Sequence, residues 1–400
     1  MTVGVLLNAP GEDACVEELE LDGPGPGEVQ VRLEASGVCH TDLHVKESGG
    51  WGMPYPILLG HEGAGIVEQV GEGVEQPGVG ERVVLAWRSP CGRCAPCRRG
   101  DPRRCRTPLR AKRRLRRQSD GAVVTQTLLC GAFATRTIVH AGAAIPVPAA
   151  LPPEQACLLG CAVATGVGAV LQTSPAWPGS SVAVIGCGGV GLSAVQGARL
   201  AGADRIVAVD LAASKLTWAP RFGATDVVDA TQGDAVSAVR ELTDGEGVDF
   251  AYDAVGRGET LQQAVRMLAH SGTATLIGVP ADDATATFLL GGEHLRQVTL
   301  LLLLRAVSHD RRAGHAERDH VHVLRGAGAR ELLQRDRLMA VRLGAAAVLL
   351  GPRHTRVARV VHPPAPLLAG LGRKVVREPG ANLCAKRRFG RCVAKVHVGN

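Results

Sequence analysis

Residues 181–210, SVAVIGCGGVGLSAVQGARLAGADRIVAVD, restrict the fold more tightly than any other part of this 400-residue chain. A short apolar run leads into a glycine-rich turn, a helix-forming stretch follows, and a second apolar run ends on an acid. Gly186, Gly188 and Gly191 have the spacing G-x-G-x-x-G. Alone that spacing is weak. Between a strand and a helix it is specific, because the tight turn lets the backbone approach a pyrophosphate and aims the first helical N–H groups at it. Asp210 stands 19 residues after Gly191, at the end of the second run. A carboxylate there accepts hydrogen bonds from both ribose hydroxyls and repels a 2′-phosphate, which favours NAD over NADP.

The same alternation continues in both directions from about residue 153 to 292: "RIVAVD" then "SKLTWAPRFG", "DFAYDAV" then "ETLQQAVRMLAHSG", then "TATLIGV". Short strands separated by helices of ten or so residues predict an α/β unit, a Rossmann doubly wound parallel sheet over 153–296. Residues 1–152 read differently. Period-two apolar positions such as Val29, Val31 and Leu33, bounded by Gly and Pro, predict a β-rich domain. "VTLLLLL" at 298–304 predicts a buried strand and is far shorter than the roughly 20 residues that span a bilayer. The opening residues lack the basic and apolar regions of a secretory signal, so a cytoplasmic protein without a membrane partner is expected.

Twelve cysteines in such a chain point to thiols and metal ligands before disulfides. Cys91, Cys94, Cys97 and Cys105 follow the pattern C-x2-C-x2-C-x7-C within "CGRCAPCRRGDPRRC". Two-residue gaps let sulfurs converge on one point, and four thiolates make a closed tetrahedral zinc site with no position for substrate. An iron–sulfur cluster uses the same ligand type. The arginines after it are a separate feature. Residues 91–117 hold 12 Lys/Arg against one Asp. A solvated loop is the plain reading of that run, a rim attracting an anionic substrate is a narrower one, and nucleic-acid binding finds no interleaved aromatics to support it.

"GVCHTDLH" at 37–44, "GHEGAG" at 60–65 and "LLGCAVATGVGA" at 158–169 supply further zinc-type ligands. Together with the four-cysteine loop and the glycine turn, they make residues 1–295 resemble the zinc-dependent medium-chain alcohol dehydrogenases. The resemblance implies a GroES-like catalytic domain over 1–152, followed by the NAD-binding domain, and two zinc ions per chain. It makes Cys39, His61 and Cys161 the ligands of a catalytic zinc, with Glu62 beside it and Asp42 orienting the histidine. It further implies a proton relay through Thr41 and His44, and cofactor contacts from His40, Thr165, Lys215 and Val279. The glycines of "GHEGAGIVEQVGEGV" are expected to serve tight turns. The partner implied is a small alcohol or aldehyde, closest in look to primary or aromatic alcohols and thiol adducts of formaldehyde such as S-(hydroxymethyl)mycothiol.

The tail departs from that pattern. The first 293 residues hold 24 Lys/Arg against 32 Asp/Glu, whereas the last 107 hold 21 against 6 and eight of the thirteen histidines. This bias over 297–400 reads as a basic extension of unknown fold or as a frame-shifted translation of a GC-rich gene. The second case would leave a zinc- and nucleotide-binding protein without activity, and would remove the surface a homo-oligomer of this family uses.

Overall fold

A computed structural model describes residues 2–47, 52–281 and 284–288, and the backbone of the strands Thr299–Leu303, Val321–Arg325 and Met339–Arg342. The expectations for the basic tail otherwise lie outside the described residues.

The β-rich reading of the N-terminal part is met by two five-stranded sheets. One has Thr2–Leu7 at its centre, flanked by Cys15–Leu21 and Ile57–Leu58. The other is built on Glu28–Gly37 and Glu62–Val70, paired antiparallel, with Arg82–Leu85 and Arg136–His140 outside them. Val29, Val31 and Leu33 point to one core with Val67, Val83, Leu85 and Val139. Each such side chain, moved out of water, contributes roughly 1.5–3 kcal/mol. Gly63 and Gly65, read in sequence as turn residues, lie inside the strand Glu62–Val70 instead. A Cβ on Gly65 would stand 2.0 Å from the Arg32 carbonyl oxygen, so the pair of strands needs glycine for close approach.

The alternate face of Glu28–Gly37 is closed at its start, which simple alternation does not foresee. Glu28 and Gln30 are buried. The Glu28 carboxylate accepts the Gly25 and Lys112 backbone N–H groups and pairs with the Arg114 guanidinium, tying the arginine-rich loop to the barrel. Burial opposes ionisation, but the two N–H groups and the guanidinium outweigh it and hold this carboxyl below its ordinary value of 4.5. A depressed folded-state pKa stabilises above the unfolded value and is lost as pH falls through the folded one. Stability measured from about pH 6 down to about pH 3 should therefore fall more steeply for the wild type than for Glu28→Gln, the two curves converging at the acid end. Parallel curves would show that Glu28 carries no such linkage.

The C-terminal part contains a seven-stranded sheet in the order Asp226–Asp229, Arg205–Asp210, Ser181–Ile185, Val248–Asp253, Leu268–Leu276, Thr299–Leu303, Val321–Arg325. All pairs but the last are parallel. Both faces are covered. Val182, Val184, Ile206 and Ala208 enter one core, while Ala183, Ile185, Val207 and Val209 enter the other. That alternation makes the sheet doubly wound. The parallel sheet runs past residue 296, since Thr299–Leu303 pairs with Leu268–Leu276. Strand order reverses at Ser181–Ile185, whose two neighbours, Arg205–Asp210 and Val248–Asp253, both follow it in the chain, the order then running outward on either side. Crevices form at such reversals. Among the described residues no single helix is long and apolar enough to cross a membrane.

Candidate active site and metal centres

Three chain segments meet at the first centre. Cys39 precedes the helix His40–Glu47, His61 precedes the strand Glu62–Val70, and Cys161 caps the helix Ala162–Gly168. The helix start is set by Asp42, which is fully buried and used three times. Its Oδ2 accepts the Cys39 N–H at 3.0 Å, and Oδ1 accepts the Gly60 N–H at 3.2 Å and lies 3.2 Å from Nδ1 of His61. One carboxylate thus fixes two of the three segments and the tautomer of the ring between them. The third segment is set by Gly160, where a Cβ would stand 2.2 Å from the Leu85 carbonyl oxygen. Only glycine lets Cys161 come this close to the barrel.

The Cys39, His61, Glu62 and Cys161 ligand atoms all lie within 4.8 Å of one another. Nε2 of His61 is buried and has no hydrogen-bond partner among the described residues. A buried orphan of this kind costs about 1–3 kcal/mol unless something accepts its lone pair or proton. Two thiols and an imidazole are a donor set that zinc takes with one position left over, and a carboxylate stands beside them. The residues fit that ion. Their electrostatics agree: a hydrogen bond from Cys161, followed by the effect of His61, holds the Cys39 thiol down to about 3. Burial opposes a charged His61, yet Asp42 and then Cys39 raise it to about 10. Burial, then the charge of Cys39, lifts Glu62 to about 7, while its Oε1 accepts the Ala162 N–H at 3.2 Å.

The second centre is local. Sγ atoms of Cys91, Cys94, Cys97 and Cys105 lie within 4.8 Å of one another, with Cys94 3.4 Å from Cys97 and 3.9 Å from Cys105. Tetrahedral sulfurs at about 2.3 Å from one ion are roughly 3.8 Å apart, so the four are nearly at that spacing. The Cys91 N–H points to Cys105 Sγ at 3.3 Å, the Cys94 N–H to Cys91 Sγ at 3.4 Å, and the Thr107 hydroxyl to Cys91 Sγ at 3.2 Å. These donors stabilise thiolate. The hydrogen bond from Thr107 leads in lowering Cys91 to about 6, whereas burial leads in raising Cys97 to about 12. The arginine run is only partly the solvated loop expected of it. Arg114 and Arg117 anchor it through Glu28, Asp120 and Glu17, and Arg103 and Arg104 share Asp101.

The glycine turn sits at the strand-order reversal. Gly186 has φ +92°, and a Cβ on Gly191 would lie 1.6 Å from the Gly186 carbonyl oxygen. Gly188 caps the helix Gly189–Leu200 with open space where its Cβ would be. That opening at a helix N-terminus is the cradle a pyrophosphate needs. Asp210 accepts the Cys187 N–H at 2.7 Å and the Ala212 N–H at 2.9 Å, and Lys215 Nζ lies 3.5 Å from it. Gly191→Ala is expected to weaken NADH binding at least tenfold at unchanged zinc content, because the turn must open. Equilibrium dialysis against metal analysis measures both.

The remaining expected positions are less convergent. Thr41 is buried one residue before Asp42, and His44 follows one turn later, its ring 5.0 Å from that of exposed His40. Thr165 lies on the helix begun by Cys161, its N–H bonded to the Cys161 carbonyl at 2.8 Å. Val279 is half-buried just beyond Leu268–Leu276. Within the cofactor unit, helix Ala162–Gly168 packs closely on helix Gly189–Leu200: a Cβ on Gly166 would lie 2.2 Å from the Val190 carbonyl oxygen. Cys161, at the head of the first helix, is thereby placed beside the cofactor turn.

A barrel-held metal set beside a doubly wound nucleotide sheet defines a metal-dependent, dinucleotide-linked oxidoreductase. Residues 25–149 match the family described as alcohol dehydrogenase GroES-like domain, and residues 189–313 match zinc-binding dehydrogenase. The chain is 39% identical over 288 residues to a protein of Schizosaccharomyces pombe described as probable S-(hydroxymethyl)glutathione dehydrogenase 1, covering 69% of this chain and 75% of that one. An alcohol dehydrogenase zinc-binding domain protein from Burkholderia ambifaria superposes with TM-score 0.70 at 35% identity. Benzyl alcohol dehydrogenase from Acinetobacter calcoaceticus gives 0.68 at 33%. Each covers 76% of this chain and 84% of its own. The chain belongs to the zinc-dependent alcohol dehydrogenase family.

Proposed function

We propose that this protein oxidises a primary or aromatic alcohol, or a thiol adduct of formaldehyde, with NAD+ as the hydride acceptor. The observation that carries the reading is the convergence of half-buried Cys39 with buried His61 and Cys161, the Nε2 of His61 having no hydrogen-bond partner among the described residues and Cys161 capping a helix packed against the one that follows the glycine turn. The named relatives act on substrates of these two kinds by their descriptions, S-(hydroxymethyl)glutathione and benzyl alcohol.

In this reading Cys39, His61 and Cys161 hold a zinc ion, with Glu62 at its side, and Cys91, Cys94, Cys97 and Cys105 hold a second. Bound together, zinc and NAD+ supply Lewis-acid polarisation of a substrate oxygen and an acceptor for hydride. The chain does the rest. Asp42 keeps the His61 ring oriented. Thr41 and His44, three residues apart on one helix, offer a buried hydroxyl and a half-buried imidazole for moving the alcohol's proton outward. Asp210 and Lys215 face the adenosine ribose, His40 the pyrophosphate, and Thr165 and Val279 the nicotinamide end. Residues 1–152 form the catalytic unit, and the cofactor unit runs from 153 through at least Thr299–Leu303. The ten described cysteines are thiols rather than disulfides, which suits the reducing cytoplasm.

Zinc analysis combined with NADH formation over a panel of alcohols, with and without a low-molecular-weight thiol plus formaldehyde, tests this. Two metals per chain with turnover of one substrate class is the expected result. Two metals and no turnover on any member would overturn it.

A further inference from the structure

Asp253 ends the strand Val248–Asp253, is fully buried, and has no part in the machinery above. It grips two loops at once. Its Oδ1 accepts the N–H groups of Val255 at 2.9 Å and Gly256 at 3.2 Å, and its Oδ2 accepts the Thr260 hydroxyl at 2.9 Å. Its backbone carbonyl accepts the N–H groups of Ile277 at 2.7 Å and Gly278 at 2.9 Å. The loops then touch backbone to backbone. Gly256, at φ +85°, would place a Cβ 2.8 Å from the Gly278 carbonyl carbon, and a Cβ on Gly278 would lie 2.4 Å from the Gly256 nitrogen.

This clasp stands beside the reversal in strand order. The Ala254 N–H bonds the Ile185 carbonyl at 2.9 Å, and a Cβ on Gly186 would lie 2.7 Å from Cγ2 of Val255. Val255 is nonetheless 41% exposed, an apolar side chain presented at the crevice. In a doubly wound sheet each half serves one nucleotide of a dinucleotide. Asp210 lies on the half before the reversal, and Asp253 with both clasped loops lies on the other. Burial raises the Asp253 carboxyl above its ordinary 3.8 against three hydrogen bonds, as expected for a group retained in a costly place.

We infer that Asp253 is a positioning residue for the nicotinamide half of the cofactor, holding residues 255–257 against 277–279 so that Val255 and Val279 form one apolar wall. This rests on the dinucleotide reading of the proposed function. The test uses ADP-ribose, which carries the adenosine half and lacks nicotinamide. In Asp253→Ala the Kd for NADH should rise about tenfold while that for ADP-ribose stays within about twofold, since the three carboxylate bonds to the 255–260 loop are lost and the main-chain bonds to Ile277 and Gly278 remain. Asp253→Asn, whose amide oxygen accepts the same N–H groups, should restore NADH binding. Equal loss of both ligands, or unchanged NADH affinity, overturns the inference. If Asp253→Ala does not fold, Thr260→Val removes one bond of the clasp and should weaken NADH alone by about threefold, with no change counting against the idea. A wild type that binds both ligands but oxidises no alcohol defeats the proposed reaction and leaves this comparison intact. A wild type that binds neither defeats both.

Discussion

His61→Ala is expected to leave one zinc per chain and to lower kcat/KM for the preferred alcohol by roughly 10^4, because polarisation of the substrate oxygen is worth several kcal/mol. The geometry sets a graded series. His61 offers its orphaned Nε2 to the centre, whereas Asp42 acts on the centre only through Nδ1 of that ring and through two backbone N–H groups. Asp42→Asn should thus cost about 10–100-fold and weaken metal retention without abolishing it. Zinc content, NADH affinity and steady-state kinetics on the same preparations separate the cases. NADH affinity should be unchanged in both variants. Two zincs and more than a tenth of wild-type activity in His61→Ala would remove this histidine from the catalytic centre.

The second large effect belongs to the four-cysteine loop. Cys94→Ser should lose that metal, keep the other, and lower stability by about 3–5 kcal/mol, a fraction of the binding energy of isolated zinc-binding peptides because Glu28 and the barrel still hold the far end of the loop. For a chain this size that corresponds to a fall in Tm of about 5 °C. The loop's charge adds a dependence on salt. Zinc with four thiolates is doubly negative and partly offsets 12 Lys/Arg against one Asp in residues 91–117. Without it the cations repel, so the deficit should be larger at low ionic strength and shrink as salt is added. Thermal melting of both proteins over a salt series measures this. A deficit indifferent to salt would assign the loss to metal coordination alone.

How far the chain could be read in advance depends on how local each signal is. Cys91, Cys94, Cys97 and Cys105 announce themselves through spacing, and Gly186, Gly188 and Gly191 through their place between strand and helix. Cys39, His61 and Cys161 became a set only through resemblance, since nothing in three separated segments says that they meet. Asp253 leaves no distinctive mark in the sequence. A single acid at a strand end followed by small residues looks like any strand exit, and its meaning depends on Ile277 and Gly278, which arrive from the next strand. Glu28 was hidden for the same reason: its partners at 112 and 114 lie in a loop that reads as solvated. Gly63 and Gly65 suggest turns, yet lie in a strand, because closeness of two strands leaves the same trace in sequence as a turn.

The two centres also differ in when they can exist. All four sulfurs of one lie within fifteen residues, so its ligands are complete once a growing polypeptide has exposed residue 105. The other must wait for Cys161, long after Cys39 and His61 have emerged from the ribosome. Throughout that interval an imidazole and a thiol stand without their third companion, while the finished lobe nearby already has a full set of ligands for the first available ion.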